Sequence, residues 1–438
     1  MTGETSGRTS VRTRVGTWTA KGSLGRASAL TAVGSGAGRA VGLVSALGGA
    51  AVLGSAQYGA FTFLATTATL VSSLGVLGFG PLVTRAVASR SPTPRVDQLA
   101  AAVLCIVTAL LLVVGLCLAA VVNIADLDTS WPGYRLLHGT GVGTVVVWAT
   151  GAGLSAIVTA VITGHRRFVP ATMLTLARSV AVGGSAFVTS VTTGRATDAA
   201  TAAGVAELLV AAAGVALLRR ERYLQPFQWR SLVAPVASLT RGAVPAGAAS
   251  LSIQAAIWFT ESLLLLRPDG LSENGAFGLA SRLSLLVSFL PVALATASVS
   301  FVSRQPDAAQ ARALAKRIIM VGFGASLVAM VMLVGTAAHL NGLFGTGYSE
   351  HASTTALMGV AGLAVSANAL LGNTAVGLGR VRDWVASDIV LAASMTIAAY
   401  VLIPPTGPDG AAITHLLSYG ISAGYLTLRL WTAARAST

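Results

Sequence analysis

An all-α polytopic membrane protein, with about twelve transmembrane helices in two six-helix lobes around a central cavity, is the fold class this sequence predicts. Three observations predict it. Hydrophobic residues make up 54% of the 438 and charged residues 10%, too few charges to build a water-exposed surface. The apolar runs are continuous and about twenty or more residues long, where β-barrel strands would alternate over about ten. Lys and Arg fall in every second connection between those runs.

In chain order the apolar runs cover about residues 28–53, 58–84, 99–122, 141–163, 169–192 and 198–218, then 243–266, 275–302, 318–338, 353–378, 384–403 and 410–428. Each is long enough to span a hydrocarbon layer. With the N-terminus inside, the inner segments hold 23 of the 29 cations and the outer connections only Arg135, Arg195 and Arg267. This asymmetry predicts that both termini are cytoplasmic. Arg39, Arg178 and Arg282 fall inside spans one, five and eight. The formal charge of +14 is therefore spread over inner connections, and no nucleic-acid partner is expected, since such readers gather their basic residues on one face. Cys105 and Cys117, twelve residues apart in one apolar run, would be roughly 18 Å apart on a helix and cannot pair. The long basic N-terminal segment does not resemble a cleaved signal peptide.

The longest inner connection divides the chain into two sets of six spans. The expected organisation is a cytoplasmic basic arm (1–27), an N-lobe (28–218), a cytoplasmic linker (219–242), a C-lobe (243–428) and a cytoplasmic tail (429–438). Tyr58-Gly59-Ala60-Phe61 opens span two and Asn274-Gly275-Ala276-Phe277 opens span eight. This echo, at matching positions, is what parallel repeats related by an axis along the membrane normal require.

The connections are too short for a catalytic domain, the largest outer one being about 123–140. No Gly-rich loop ends in Gly-Lys-Ser/Thr, and His138, His165, His339, His351 and His415 lack metal-ligand spacing. Neither an enzyme nor a cofactor is expected. The stretch from Leu47-Gly48-Gly49 through Tyr58-Gly59-Ala60-Phe61 to Gly75-Val76-Leu77-Gly78 and Arg85 resembles the first two helices of lipid-linked oligosaccharide flippases in the multidrug, oligosaccharidyl-lipid and polysaccharide exporter superfamily. Asn274-Gly275-Ala276-Phe277 with Ser281-Arg282-Leu283 is similar to that family's eighth-helix opening. Leu343-Phe344-Gly345 with Gly347-Tyr348 and Ala352 resembles its ninth-to-tenth connection, and Gly379-Arg380-Val381-Arg382 its inner turn after helix ten.

The candidate site residues are the polar groups inside spans. Arg39 lies about twelve residues into span one, roughly 18 Å deep, where an arginine against lipid costs at least about 2.5 kcal/mol. It must face a cavity or a partner. Ser35, Gly42, Ala46 and Gly49 share its face, and Gly34, Gly38 and Gly42 form a small-xxx-small row for close helix contact. Arg282 lies about seven residues into span eight and either snorkels to headgroups or faces the interior. Glu261 shares a helical face with Ser250, Gln254 and Trp258. An Arg282–Glu261 contact between adjacent helices reads equally as a structural pair or as a gate. Arg178 and Glu207, opposite in sign at comparable depth, read as an ion pair or as part of a site. Asp388 reads as an interfacial acid, and His415, Asn368 and Asn373 as helix-contact hydrogen bonders.

The resemblance implies a flippase for a polyprenyl-diphosphate-linked oligosaccharide in polysaccharide biosynthesis, working by alternating access in the cell membrane. Arg39, Arg282, Glu261, Gln254 and Arg178 would then be its substrate-binding residues. Its partners would be that cargo and membrane lipids, and polymerase or glycosyltransferase machinery. The alternatives are an ion-coupled multidrug or metabolite exporter of the same superfamily and a non-transporting membrane scaffold. An exporter needs a cation-binding acid mid-membrane in the first half, where Glu207 is the one deep acid.

Overall fold

The structure is a computed structural model that describes residues 20–89, 94–124, 131–165, 167–225, 229–302, 305 and 307–435. Among these residues the regular structure is helical throughout. The first half comprises α1 (Ala20–Val76), α2 (Phe79–Ser89), α3 (Pro94–Ile124), the short α4 (Pro132–Leu137), α5 (Thr140–Gly164), α6 (Phe168–Thr193) and α7 (Ala196–Arg220). The second comprises α8 (Trp229–Leu265), α9 (Gly270–Val302), α10 (Ala308–Leu343), the four-residue α11 (Thr346–Ser349), α12 (Ala352–Gly377), α13 (Val381–Thr406) and α14 (Pro408–Arg435).

Ten helices among the described residues are long and apolar enough to cross a membrane, against twelve predicted spans. Two features account for the difference. The first candidate, Gly36–Val76, runs through a break at Gly54, with φ 70° and ψ 170°, and so holds span one and most of span two. That backbone region is open essentially to glycine alone. The last predicted span is α14, whose apolar content is lowered by Thr414, His415, Ser418 and Ser422. These four residues are buried where α14 packs along α12 and α13. Span two is interrupted again at Leu77 and Gly78, both with positive φ, and resumes as α2. The segment expected to be linker is helical from Trp229, as the opening turns of α8. Residues 1–19 of the basic arm, and Arg90, Arg166 and Arg304 of the inner connections, lie outside the described residues.

The architecture is two-lobed, as expected. In the first half α1 packs on α5 and α6, and α7 on α5 and α6; in the second α12 packs on α9, α10 and α14, and α13 on α8 and α14. The halves meet mainly where α1 lies along α9 and α8. Large apolar residues on α6 and α10, among them Met173, Val188, Met320, Val328 and Met332, stay exposed, as lipid-facing helix surfaces require.

The repeated Gly-Ala-Phe tripeptides sit at this junction. A Cβ at Gly59 would fall 1.9 Å from the Leu271 carbonyl oxygen, and one at Gly275 would fall 1.9 Å from the Ser55 carbonyl oxygen. The two backbones touch, and no side chain fits between them. Hydrogen bonds surround the contact. Asn274 Nδ2 donates to the Gly59 carbonyl at 2.8 Å, Ser55 and Ser272 hydroxyls pair at 2.7 Å, and Tyr348 donates to the Ala50 carbonyl at 3.1 Å. The seam is closed by close packing and polar cross-links together.

Candidate functional site

Below the seam, between α1, α5, α6, α7 and α9, lies a cavity of about 380 Å³. Its wall holds Arg39 and Ser45 from α1, Arg178 and Ser179 from α6, Trp148 from α5, Glu207 from α7 and Arg282 from α9. All three arginines that interrupt the apolar runs thus line one space. Arg39 and Arg282 come from opposite halves of the molecule, and both are exposed.

The small-residue row on α1 explains how Arg39 reaches this space. Gly38 faces α6, where a Cβ would lie 2.9 Å from the Ser179 hydroxyl, while Gly42 has nothing near it and is part of the cavity wall. One face of the row packs and the next opens. Gly48 and Gly183 let α1 and α6 approach further, against Phe187 and Ser45 respectively.

Charge is distributed unevenly over the wall. Arg178 Nε donates to Glu207 Oε1 at 2.5 Å, so the predicted pair forms. Glu207 is almost wholly buried while the Arg178 side chain is 44% exposed. Among the described residues Arg39 and Arg282 have no carboxylate within ion-pair distance. The cavity therefore carries two guanidinium groups not neutralised by an ion pair. Tyr58, Phe61, Trp148 and Phe187 give the same cavity an aromatic surface.

Glu261 and Gln254 are placed elsewhere. Neither lines the cavity. Glu261 Oε1 accepts from Thr66 Oγ1 at 2.8 Å, and Trp258 Nε1 donates to Thr67 Oγ1 at 3.0 Å, so the polar stripe on α8 faces the second segment of α1 across the seam. Glu261 and Arg282 do not approach within 4.0 Å, and the contact expected between them is replaced by the one with Thr66. The reason is the depth of α1, whose Thr66–Thr67 turn lies against that stripe. Asp388, expected at the interface, is buried, as are Ser387, Ser418 and Ser422 of α13 and α14. Ser422 donates to Asn368 at 2.9 Å, in keeping with Asn368 as a helix-contact residue. Sequence reasoning missed Trp148, because a single aromatic in an apolar run has no polar neighbours to single it out.

Outside the spans, His165 stacks on Tyr223 with ring centroids 3.8 Å apart, and Arg167 holds both the Tyr223 hydroxyl and Glu221. Burial pushes the His165 imidazole below its ordinary range, Asp97 at 3.4 Å opposes that shift, and Arg167 adds to it. This cluster ties the ends of α3, α5 and α7 together and is remote from the cavity lining. Among the described residues no group of three or more His, Cys, Asp or Glu side chains is placed to hold a metal ion.

The fold is shared with solved transporters of low sequence identity. The lipid II flippase MurJ in an inward closed conformation aligns with a TM-score of 0.74 and 12% identity, over 92% of this chain and 87% of that one. An inward-facing multidrug resistance MATE transporter of the MOP superfamily aligns at 0.65 and 16%, over 91% and 96%. A MOP superfamily transporter from Pyrococcus furiosus, described as having a binding pocket of reversed polarity, aligns at 0.66 and 17%, over 94% and 96%. No curated protein sequence matches. Residues 24–305, more than half of the chain, match the family described as polysaccharide biosynthesis protein, and this multi-pass membrane protein, folded like the transporters and flippases of the MOP superfamily, belongs to that family.

Proposed function

We propose that the protein moves a polyprenyl-diphosphate-linked oligosaccharide from the inner to the outer leaflet of the cytoplasmic membrane. The observation that carries this reading is the meeting of Arg39 and Arg282, one from each half, at one cavity without carboxylate partners. A guanidinium group stays charged at any relevant pH and binds phosphate oxygens through paired N–H donors. Two of them suit a diphosphate. A cationic drug would meet repulsion from the same wall, which weighs against the exporter reading, and a scaffold has no use for charges that cost several kcal/mol to hold in a membrane.

Rocking of the halves would expose the cavity to either side in turn, the cargo's phosphates held by guanidinium groups from both halves while its prenyl chain stays in lipid. The N-terminus and C-terminus are cytoplasmic in this arrangement. The test is transfer of a polyprenyl-diphosphate-linked trisaccharide across vesicles carrying the protein, read by lectin accessibility. Arg39→Ala should lower the rate at least about tenfold, the loss of one charge-assisted contact of about 1.5–3 kcal/mol, while the protein inserts normally. Unchanged transfer with Arg39→Ala and with Arg282→Ala would reject the reading.

A further inference from the structure

The cavity wall has a second chemical character that a diphosphate alone does not explain. Glu207 is 1% exposed and ion-paired to Arg178, yet only its Oε1 is bonded; Oε2 is buried with no hydrogen-bond partner. A buried carboxylate oxygen without a donor is rare in folded proteins and calls for a specific explanation. Beside it stands Trp148. Gly151, three residues after Trp148 on α5, packs so closely on α7 that a Cβ would lie 2.9 Å from Glu207 Cγ. Gly204, three residues before Glu207 on α7, packs on Trp148 in the same way, at 3.1 Å from its Cβ. The close approach of α5 and α7 thus sets Glu207 and Trp148 on facing helices, and both line the cavity.

The Trp148 ring is half-buried, leans on Phe61 with centroids 5.8 Å apart, and lines the same space as the arginines. An aromatic face with an acceptor-only carboxylate beside it fits a ligand that is apolar on one face and rich in hydroxyl donors at its rim. A pyranose has that surface: its axial C–H groups rest on the ring and its hydroxyls donate to carboxylate oxygens. A phosphate does not, because it brings acceptors to an acceptor.

We propose that Trp148 and Glu207 form a sugar-binding subsite next to the guanidinium groups, Trp148 as the platform and Glu207 Oε2 as the acceptor for a ring hydroxyl. The inference rests on the flippase reading and adds a specificity determinant to it. Glu207 then has two roles, orienting Arg178 through Oε1 and reading the sugar through Oε2.

The test is equilibrium binding to the full-length protein in lipid nanodiscs, comparing bare polyprenyl diphosphate with the same lipid carrying one glucose, galactose or N-acetylglucosamine. The wild type should bind at least one glycosylated form about tenfold more tightly than the bare lipid, the worth of a charge-assisted hydrogen bond with its stacking contact. Trp148→Leu should remove that preference, read as the ratio of the glycosylated to the bare affinity, while Trp148→Phe should keep most of it. Glu207→Gln should also lose the preference; should this variant misfold for want of the Arg178 pair, the Trp148 variants decide alone. Equal affinity of the wild type for the bare lipid and all three glycosylated forms would overturn the subsite and leave the flippase reading intact, as would a preference that survives Trp148→Leu. Binding to none of the four lipids would overturn the flippase reading and the subsite with it.

Discussion

The seam and the cavity are neighbours along the same helices, and each contains ionisable groups inside a membrane span, yet they treat those groups in opposite ways. At the seam Glu261 is buried and accepts a hydrogen bond from Thr66. In the cavity Arg39 and Arg282 are exposed and have no carboxylate partner among the described ion pairs. One oxygen of Glu261 is held by a contact within the protein, whereas the two guanidinium groups face open space. The difference separates residues that hold the halves together from residues left open to the cavity.

The largest effect should come from breaking the seam itself. Gly275→Val puts a branched side chain where the Ser55 carbonyl already lies 1.9 Å from a Cβ, and backbone cannot yield as a flexible side chain can. A cost of at least about 3 kcal/mol is expected, seen as loss of folded protein after detergent extraction, while Gly42→Ala, which opens on the cavity with nothing near it, should be extracted normally. Equal tolerance of both substitutions would erase the distinction between the two regions.

A smaller effect should identify the partner of Glu261. Double-mutant cycles on unfolding in detergent should show a coupling of about 1–2 kcal/mol between Glu261→Gln and Thr66→Val. The cycle of Glu261→Gln with Arg282→Gln should give a smaller coupling, that of two charges without direct contact. The reverse order would move Glu261 from the seam to the cavity.

The smallest effect lies outside both regions and serves as their control. Burial holds the His165 imidazole below its usual 6.5, against the opposing pull of Asp97. A group whose value is depressed on folding contributes stability above its unfolded value, and that contribution is lost as pH falls toward the folded one. Thermal stability should therefore drop modestly below about pH 6.5, and His165→Phe should flatten that slope. The proposed cargo binding by Arg39 and Arg282 should be indifferent to it. A slope that persists in His165→Phe would assign it to other groups.

Much of this arrangement was legible in the residues. Arginine in an apolar run is so costly in lipid that Arg39, Arg178 and Arg282 could be singled out one by one, and the four-residue glycine spacing foretold the close packing of α1. The Gly-Ala-Phe echo marked equivalent positions in the two halves. That these positions touch each other was not legible, because a pattern along one helix does not name the helix it meets. The same gap put Glu261 with Arg282: spans seven and eight are adjacent in sequence, but the contact is made by Thr66 in span two, almost two hundred residues earlier. Trp148 and the free oxygen of Glu207 became visible only when α5 and α7 were brought together.

The break at Gly54 has a mechanical consequence. Because one residue joins the arm of α1 that carries Arg39 to the arm at the seam, the two arms share a joint with almost no slack, and Arg39 hangs fifteen residues from it, about 22 Å of rigid helix. A tilt of only about 10° at that joint would carry the guanidinium group sideways by roughly 4 Å, more than the length of a hydrogen bond. A slight parting of two glycines at one end would thereby be geared into the making or breaking of the proposed phosphate contact at the other.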